Sequence, residues 1–452
     1  MFDPQLTSFR YGTYSTSDAI NAGLDLEMPG PTRWRGEALI HAVTSNKVRP
    51  HVLDERVRAV LKLIKLASKS GIPENAPERE LNRPEDQKLL RRAAAESIVL
   101  LKNEQKVLPF DKNKTVAVIG PNAKVKVFSG GGSASLLPYY AVTPFKGVSS
   151  QCNDVRFTQG AYNHKELPLV GDSLRTLEGQ VGFIFRAYDK PVGDPNRRLL
   201  DVLHLTNSYM YVVDYKVPGI EGLLYYADIE GTFTPEEDGT YDFGLAVQGI
   251  GMLFIDDKML IDNTVNQRPG DGFFGVGTVE EIGSIDLQAG KLYKLTVEYG
   301  TAPTAKDLDR ASVSFGAGGF RVGMCKQKDS EKAIQDAVGL AAEVDQVVIF
   351  SGLNGEWESE GFDRPNMDLP FSNDELIFRV LEANPKAVVV IQSGMPVAMP
   401  WAELAGAIVQ AWYGGNETGN AIADVLFGGV NPVSLPRSRI HCRFVNVSAD
   451  LP

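Results

Sequence analysis

The sequence predicts an α/β domain, a mostly parallel sheet covered by helices, with an all-β sandwich or barrel inserted into it. Short apolar runs alternate with helical stripes before about residue 170 and again after about residue 330. Between them, over 171–322, runs such as Thr240-Tyr-Asp-Phe-Gly-Leu and Leu295-Thr-Val-Glu-Tyr alternate with period two. Turn-rich stretches, Pro235-Glu-Glu-Asp-Gly239 and Gln288-Ala-Gly290, separate those runs.

Taken in order, the first ninety residues read as helix and loop. Leu53, Val57, Val60, Leu61 and Ile64 share one face of a helix predicted over 52–69, with Gly71 as its C-cap. Residues 71–82, polar and with two prolines, read as a linker. A helix is predicted over 86–102 and a buried strand over 115–119, closed by Gly120-Pro121. After the β region come a helix over 331–344 and a strand over 346–350. A second helix starts near Asn373, with Asp374 and Glu375 in its first turn, where carboxylates suit the helix dipole. Strands over 387–391 and 407–411 and a helix over 419–427 complete a mostly parallel sheet covered by helices. Because the α/β pattern resumes after the β region, that region reads as an insertion into a loop.

Composition excludes several classes. The 452 residues are 43% hydrophobic and 23% charged, as in globular rather than disordered chains. With 46 Lys and Arg against 57 Asp and Glu, the net charge of −11 argues against a phosphate-backbone binder. No apolar run approaches the ~20 residues that a membrane-spanning helix needs. Three cysteines, Cys152, Cys325 and Cys442, exclude a disulfide scaffold and any CxxC metal cluster. Cys152 and Cys325 flank the predicted insert, so they are candidates to lie near each other, and a disulfide between them is a hypothesis to test rather than the expected state. The opening MFDPQLTSFRYG lacks the charged start and apolar core of a signal peptide. Sequons fall at Asn113, Asn416 and Asn446.

The stretch richest in chemistry is Gly352-Leu-Asn-Gly-Glu-Trp-Glu-Ser-Glu-Gly-Phe-Asp-Arg364, at the carboxyl end of a predicted strand, where open α/β sheets place ligands. Glu356, Glu358 and Glu360 are two apart. In an extended loop they point the same way, and such crowding raises a carboxyl pKa toward that of a general acid for glycosidic cleavage. Trp357 and Phe362 offer apolar faces to a sugar ring. A solvated acidic loop with Arg364 as its charge partner fits the same residues. Gly130-Gly-Gly-Ser-Ala134 lacks the strand-to-helix placement and the Lys-Ser/Thr of a nucleotide cradle, and reads instead as a loop reaching a neighbouring site. Asp256-Asp257 reads as a hairpin turn or as a Ca²⁺ ligand pair. His41, His51, His164, His204 and His441 show no metal-ligand spacing, and no GxSxG elbow is present.

Several stretches in order carry a resemblance. They are Thr13-Tyr-Ser-Thr-Ser-Asp-Ala-Ile-Asn-Ala-Gly-Leu-Asp-Leu-Glu-Met-Pro-Gly30, Glu96-Ser-Ile-Val-Leu-Leu-Lys-Asn103, Val118-Ile-Gly-Pro121, Gly130-Gly-Gly-Ser-Ala134 and Glu358-Ser-Glu-Gly-Phe-Asp-Arg-Pro365. Together they resemble glycoside hydrolase family three, above all fungal β-glucosidases whose α/β-sandwich domain carries an inserted β-sandwich of the anthrax protective antigen type. The resemblance covers about residues 11–433. It implies a retaining mechanism in which an Asp of an N-terminal (β/α)₈ barrel attacks the anomeric carbon and a Glu of the sandwich domain is the acid/base.

That acid/base maps onto Glu360. Trp357, Glu358, Asp363, Arg364, Gly131, Gly132 and Ser133 are the expected substrate-binding residues, with no metal and no cofactor. Phe9 stands where the family has its nucleophilic Asp. The implied domains are a barrel remnant (1–35), helices and linker (36–85), the α/β sandwich (86–170 with 326–435), the inserted β-sandwich (171–325) and an atypical tail (436–452). The resemblance also implies a β-glucoside or oligosaccharide substrate, secretion, and glycans at Asn113 and Asn416. The alternative is a non-catalytic carbohydrate-binding module seated on the β domain.

Overall fold

The computed structural model describes residues 15–27, 34–132, 135–136, 138–212, 215, 217–219, 224–270, 272–301, 318–359 and 363–434. Phe9, Ser133, Glu360, Phe362, Cys442, Asn446 and the tail lie outside them. The chain divides into two compact units, Met1–Leu81 with Pro303–Phe315, and Asn82–Ala302 with Gly316–Pro452.

In the first unit, Ser15 caps α1 (Thr16–Asn21) by accepting from the Asp18 amide, and α2 (Glu37–Thr44) follows. Ile20, Ala42 and Val48 form a small core between them. The helix α3 (Pro50–Ala67) starts with proline at its first turn and runs through a 3₁₀ turn, Ser68–Ser70. Gly71 then ends it at φ +73°, as the C-cap reading requires. Its periodicity is as expected, yet no residue of α3 is buried.

The second unit opens with α4 (Pro84–Ser97) and β1 (Val99–Lys102). The helix predicted to run to residue 102 therefore stops five residues early. Ile98, Val99, Leu100 and Leu101 are apolar with two β-branched members, and β1 gains antiparallel pairing with β16 (Ala407–Gln410). Strands β2 (Val116–Ile119), β3 (Val155–Thr158), β14 (Gln346–Gly352) and β15 (Val388–Gln392), with β17 (Val433–Ser434), complete a seven-stranded sheet of order β17-β1-β16-β15-β14-β2-β3. From β16 to β3 all neighbours are parallel.

Alternate residues of each strand face opposite sides, and each side is covered. Val116, Val118, Val348, Phe350, Val388 and Val390 meet α4, α5 (Pro144–Ser149) and α8 (Thr418–Leu426). Ala117, Ile119, Val347, Ile349, Val389 and Ile391 meet α6 (Ser330–Glu343) and α7 (Asn373–Ala383). The side chain of Asp374, in the first turn of α7, accepts from Nε1 of the fully buried Trp401 at 2.8 Å.

Between β3 and α6 the chain leaves the sheet and builds two antiparallel ones. The first has order β10-β9-β12-β7-β4-β5, from β4 (Phe183–Tyr188), β5 (Leu199–Leu205), β7 (Tyr226–Phe233), β9 (Ile250–Ile255), β10 (Lys258–Asn263) and β12 (Tyr293–Gly300). The second has order β11-β8-β13-β6, from β6 (Tyr209–Tyr211), β8 (Gly239–Gln248), β11 (Glu281–Leu287) and β13 (Gly319–Lys326). Burial alternates along β4, β9 and β12. The inward set, including Phe183, Phe185, Phe243, Leu245, Val297 and Phe320, forms one core. Cys152 and Cys325 are both free thiols, which rules out the disulfide hypothesis. Cys152 is buried with its Sγ directed at the Lys114 carbonyl, 3.2 Å away, and so is held without a partner thiol.

Candidate active site

Because β2, β14, β15 and β16 are parallel, their carboxyl ends lie along one edge of the sheet, and the loops that follow them assemble there. β14 feeds the acidic loop, β15 the Ser393-Gly-Met395 turn, β16 the Ala411-Trp-Tyr413 turn, and β2 the glycine-rich loop.

The acidic loop is not extended. The Trp357 and Glu358 amides both donate to the Asn354 carbonyl, at 3.0 and 2.9 Å, closing a turn. Glu356 and Glu358 therefore point apart instead of crowding together, which corrects the expectation drawn from their spacing. Glu358 is 8% exposed and turns inward. The Gly394 amide donates to its Oε2 at 2.8 Å and the Met395 amide to its Oε1 at 2.5 Å, while the Tyr413 hydroxyl donates to Oε2. Three donors converging on one carboxyl group fasten the acidic loop to the turns after β15 and β16. Burial, and then the Glu358 carboxylate itself, push the Tyr413 hydroxyl far above the ordinary phenol range, so it stays a donor. Sequence reasoning missed Tyr413, which stands 55 residues from Glu358 in the chain and belongs to no motif.

Glu356 faces the other way, toward Arg321 of the β domain and the Lys165 amide. Its pKa is raised, as expected of this loop, but by burial and against the pull of Arg321. Trp357 is half-buried. Its Nε1 donates to the Asn163 carbonyl at 2.7 Å, and its ring meets Phe371 edge-on at 5.6 Å. Arg364 is half-buried and donates through Nη2 to the Pro396 carbonyl at 2.7 Å, whereas Asp363 is exposed.

The glycine-rich loop does reach this place. The Gly131 amide donates to the Glu358 carbonyl at 2.8 Å. A Cβ at Gly131 would meet the Gly355 carbonyl oxygen at 2.0 Å, so only glycine allows the two loops to lie backbone to backbone. Gly132 follows in the left-handed region at φ +69°. Gly131, Gly132, Trp357, Glu358 and Arg364 are thus brought to one rim.

Other candidate residues lie elsewhere. Asp256 and Asp257, at φ +47° and +64°, form the tight turn between β9 and β10, and Asp256 accepts from the Lys294 amide at 2.9 Å. Among the described residues, no group of three His, Cys, Asp or Glu side chains is placed to hold a metal ion. None of their helices is long and apolar enough to cross a membrane. Asn113 is exposed in a turn. Asn416 is half-buried, its carbonyl accepts from the Val142 amide, and its sequon residue Thr418 is buried.

Known proteins share this fold and sequence. Residues 98–439 match the glycosyl hydrolase family 3 C-terminal domain. A probable β-glucosidase I of Aspergillus clavatus is 60% identical over 440 residues, covering 97% of this chain and 52% of that protein. A probable β-glucosidase J of Emericella nidulans is 56% identical over 445 residues. The crystal structure of a β-glucosidase from Kluyveromyces marxianus in complex with glucose superposes with a TM-score of 0.83 at 44% identity, covering 93% of this chain and 51% of that one. The chain spans about half the length of the curated relatives it matches. On the strength of a match over most of its length, this chain belongs to glycosyl hydrolase family 3.

Proposed function

We propose that this chain carries the acid/base half of a retaining β-glucosidase site, acting on terminal β-D-glucosyl residues. Glu360 is the acid that protonates the leaving aglycone and then the base that activates water. One observation carries the reading: 60% identity over 97% of the chain to a probable β-glucosidase, with the acidic loop at the carboxyl edge of the parallel sheet. The glucose bound to the Kluyveromyces marxianus relative supports a sugar as the occupant of that edge.

The acid/base needs a nucleophilic partner. Retaining hydrolysis needs two carboxyl groups about 5–5.5 Å apart across the scissile bond. Phe9, at the position that resembles the family's nucleophile, has no atom to attack with. The 452-residue chain expressed alone is therefore expected not to turn over β-glucosides. A phenyl ring at that position closes the covalent route. Secretion, and a glycan on the exposed Asn113, belong to the same reading. The test is an aryl β-glucoside assay on purified, monodisperse protein with Glu360→Gln as control. Inactivity of both is the expected outcome, and turnover that disappears in Glu360→Gln contradicts the half-site reading.

A further inference from the structure

Arg321 is the most heavily engaged cation of the β domain. It lies on β13, is 5% exposed, and gathers three carboxylates from three separate segments. Nε meets Glu166 of the crossover into the β domain at 2.8 Å, Nη1 meets Glu280 just before β11 at 2.7 Å, and Nη2 meets Glu356 of the acidic loop at 3.2 Å. Nη2 also donates to the Leu167 carbonyl at 2.7 Å. The carboxylates are held in turn by amides. Lys165 donates to Glu356 Oε2 at 2.7 Å, and Leu167 donates to Glu280 Oε2 at 2.8 Å.

The backbone makes room for this cluster. A Cβ at Gly244 on β8 would meet Glu280 Oε1 at 2.2 Å, and one at Gly323 on β13 would meet the Leu167 carbonyl oxygen at 2.6 Å. Two strands of the β domain thus carry glycine where the cluster presses on them. Nothing about folding the β-sandwich core requires Glu356, which comes from the other sheet's loop. The fork of one guanidinium spans the junction.

We propose that Arg321 is a positioning residue: through Glu356 it sets the acidic loop, so that the β domain fixes the geometry of the site beside it. Glu356 is one residue from Trp357 and two from Glu358, whose carboxylate ties the loop to the turns after β15 and β16. The inference deepens the proposed function and rests on it only for the meaning of the site. The coupling itself is a property of the fold.

The cluster also gives the coupling a pH dependence. The groups facing Arg321 are Glu166, Glu280 and Glu356, with His164 of the same crossover and Tyr209 of β6 close by. Burial raises the Glu280 carboxyl to about 7 and raises Glu356 as well, each against the pull of Arg321. Burial, then Arg321, lower the pKa of His164, so it adds no second cation at neutral pH. Folded Glu280 thus keeps a proton that the unfolded chain loses near 4.5, and its contribution to stability falls as pH rises from about 4.5 through about 7. Above that range three carboxylates share one guanidinium, and the hold on Glu356 loosens.

Hydrogen exchange of residues 352–359, read by mass spectrometry against peptides of β12 and β15, tests this. Arg321→Lys keeps the charge and loses the fork, and Glu356→Gln leaves the rest of the cluster intact. Each is expected to speed exchange of 352–359 at least about tenfold while β12 and β15 stay protected. After correction for intrinsic exchange, wild-type protection of 352–359 falls between about pH 5.5 and about pH 8, and Glu280→Gln flattens that fall. The inference is overturned if both variants leave 352–359 unchanged, if all peptides accelerate together, or if Glu280→Gln keeps the wild-type profile. Absence of sugar binding or turnover would count against the proposed function without altering any of these readouts.

Discussion

Two helices with the same kind of apolar stripe meet opposite fates. In α7, Leu376, Ile377, Val380 and Leu381 are buried against the parallel sheet. In α3, Val57, Leu61, Leu63, Ile64 and Leu66 all remain exposed, at 46–64%. Periodicity fixes the face of a helix that seeks an apolar partner, and the tertiary context decides whether one is supplied. The relatives are about twice as long as this chain, and α3 precedes the region that matches the C-terminal domain.

The largest expected effect lies on the covered helix. Leu376→Ala removes a side chain with no exposure from a packed face and is expected to cost about 2–5 kcal/mol in a denaturant melt. A cost below the scatter of surface substitutions would mean that α7 is not packed as described. The next concerns the site that α7 and its sheet support. Tyr413→Phe removes one of three donors to Glu358 and is expected to cost about 1.5–3 kcal/mol, with no change in the far-ultraviolet spectrum. The smallest effect belongs to the uncovered helix. Leu61→Lys should shift stability by no more than about 0.5 kcal/mol while slowing aggregation, followed by light scattering at raised concentration. A large loss of stability there would show that α3 is covered in solution and would erase the contrast.

What was legible in the sequence follows the same line. The strands at 116–119, 346–352, 388–392 and 407–410 are each built on a continuous apolar run of three or four residues, and burial on both faces writes that pattern directly into composition. The alternation of β12, Leu295-Thr-Val-Glu-Tyr, was equally visible, because one face meets a core and the other is only half-buried. The helix read through residue 102 failed because Val99–Lys102 takes its conformation from β16, three hundred residues away in sequence.

At the site, the reach of the glycine-rich loop toward a neighbouring site was legible, and the family resemblance put the acidic loop beside it. The directions of Glu356 and Glu358 were not, since a turn closed by the Asn354 carbonyl reverses what spacing alone implies. Arg321, Tyr413 and the Gly394 and Met395 amides were invisible for a related reason. Each acts through a contact that exists only once separate segments have folded together.

The acid/base role proposed for Glu360 is open to a direct test in a complete two-half enzyme. The N-terminal half of the Aspergillus clavatus relative is fused ahead of this chain, and aryl β-glucoside turnover is compared with that of the same fusion bearing Glu360→Gln. The expected result is an active fusion whose kcat falls about 10²–10⁴-fold in the variant, most steeply for poor leaving groups, with partial recovery on adding azide. An active fusion that loses nothing on Glu360→Gln would contradict it.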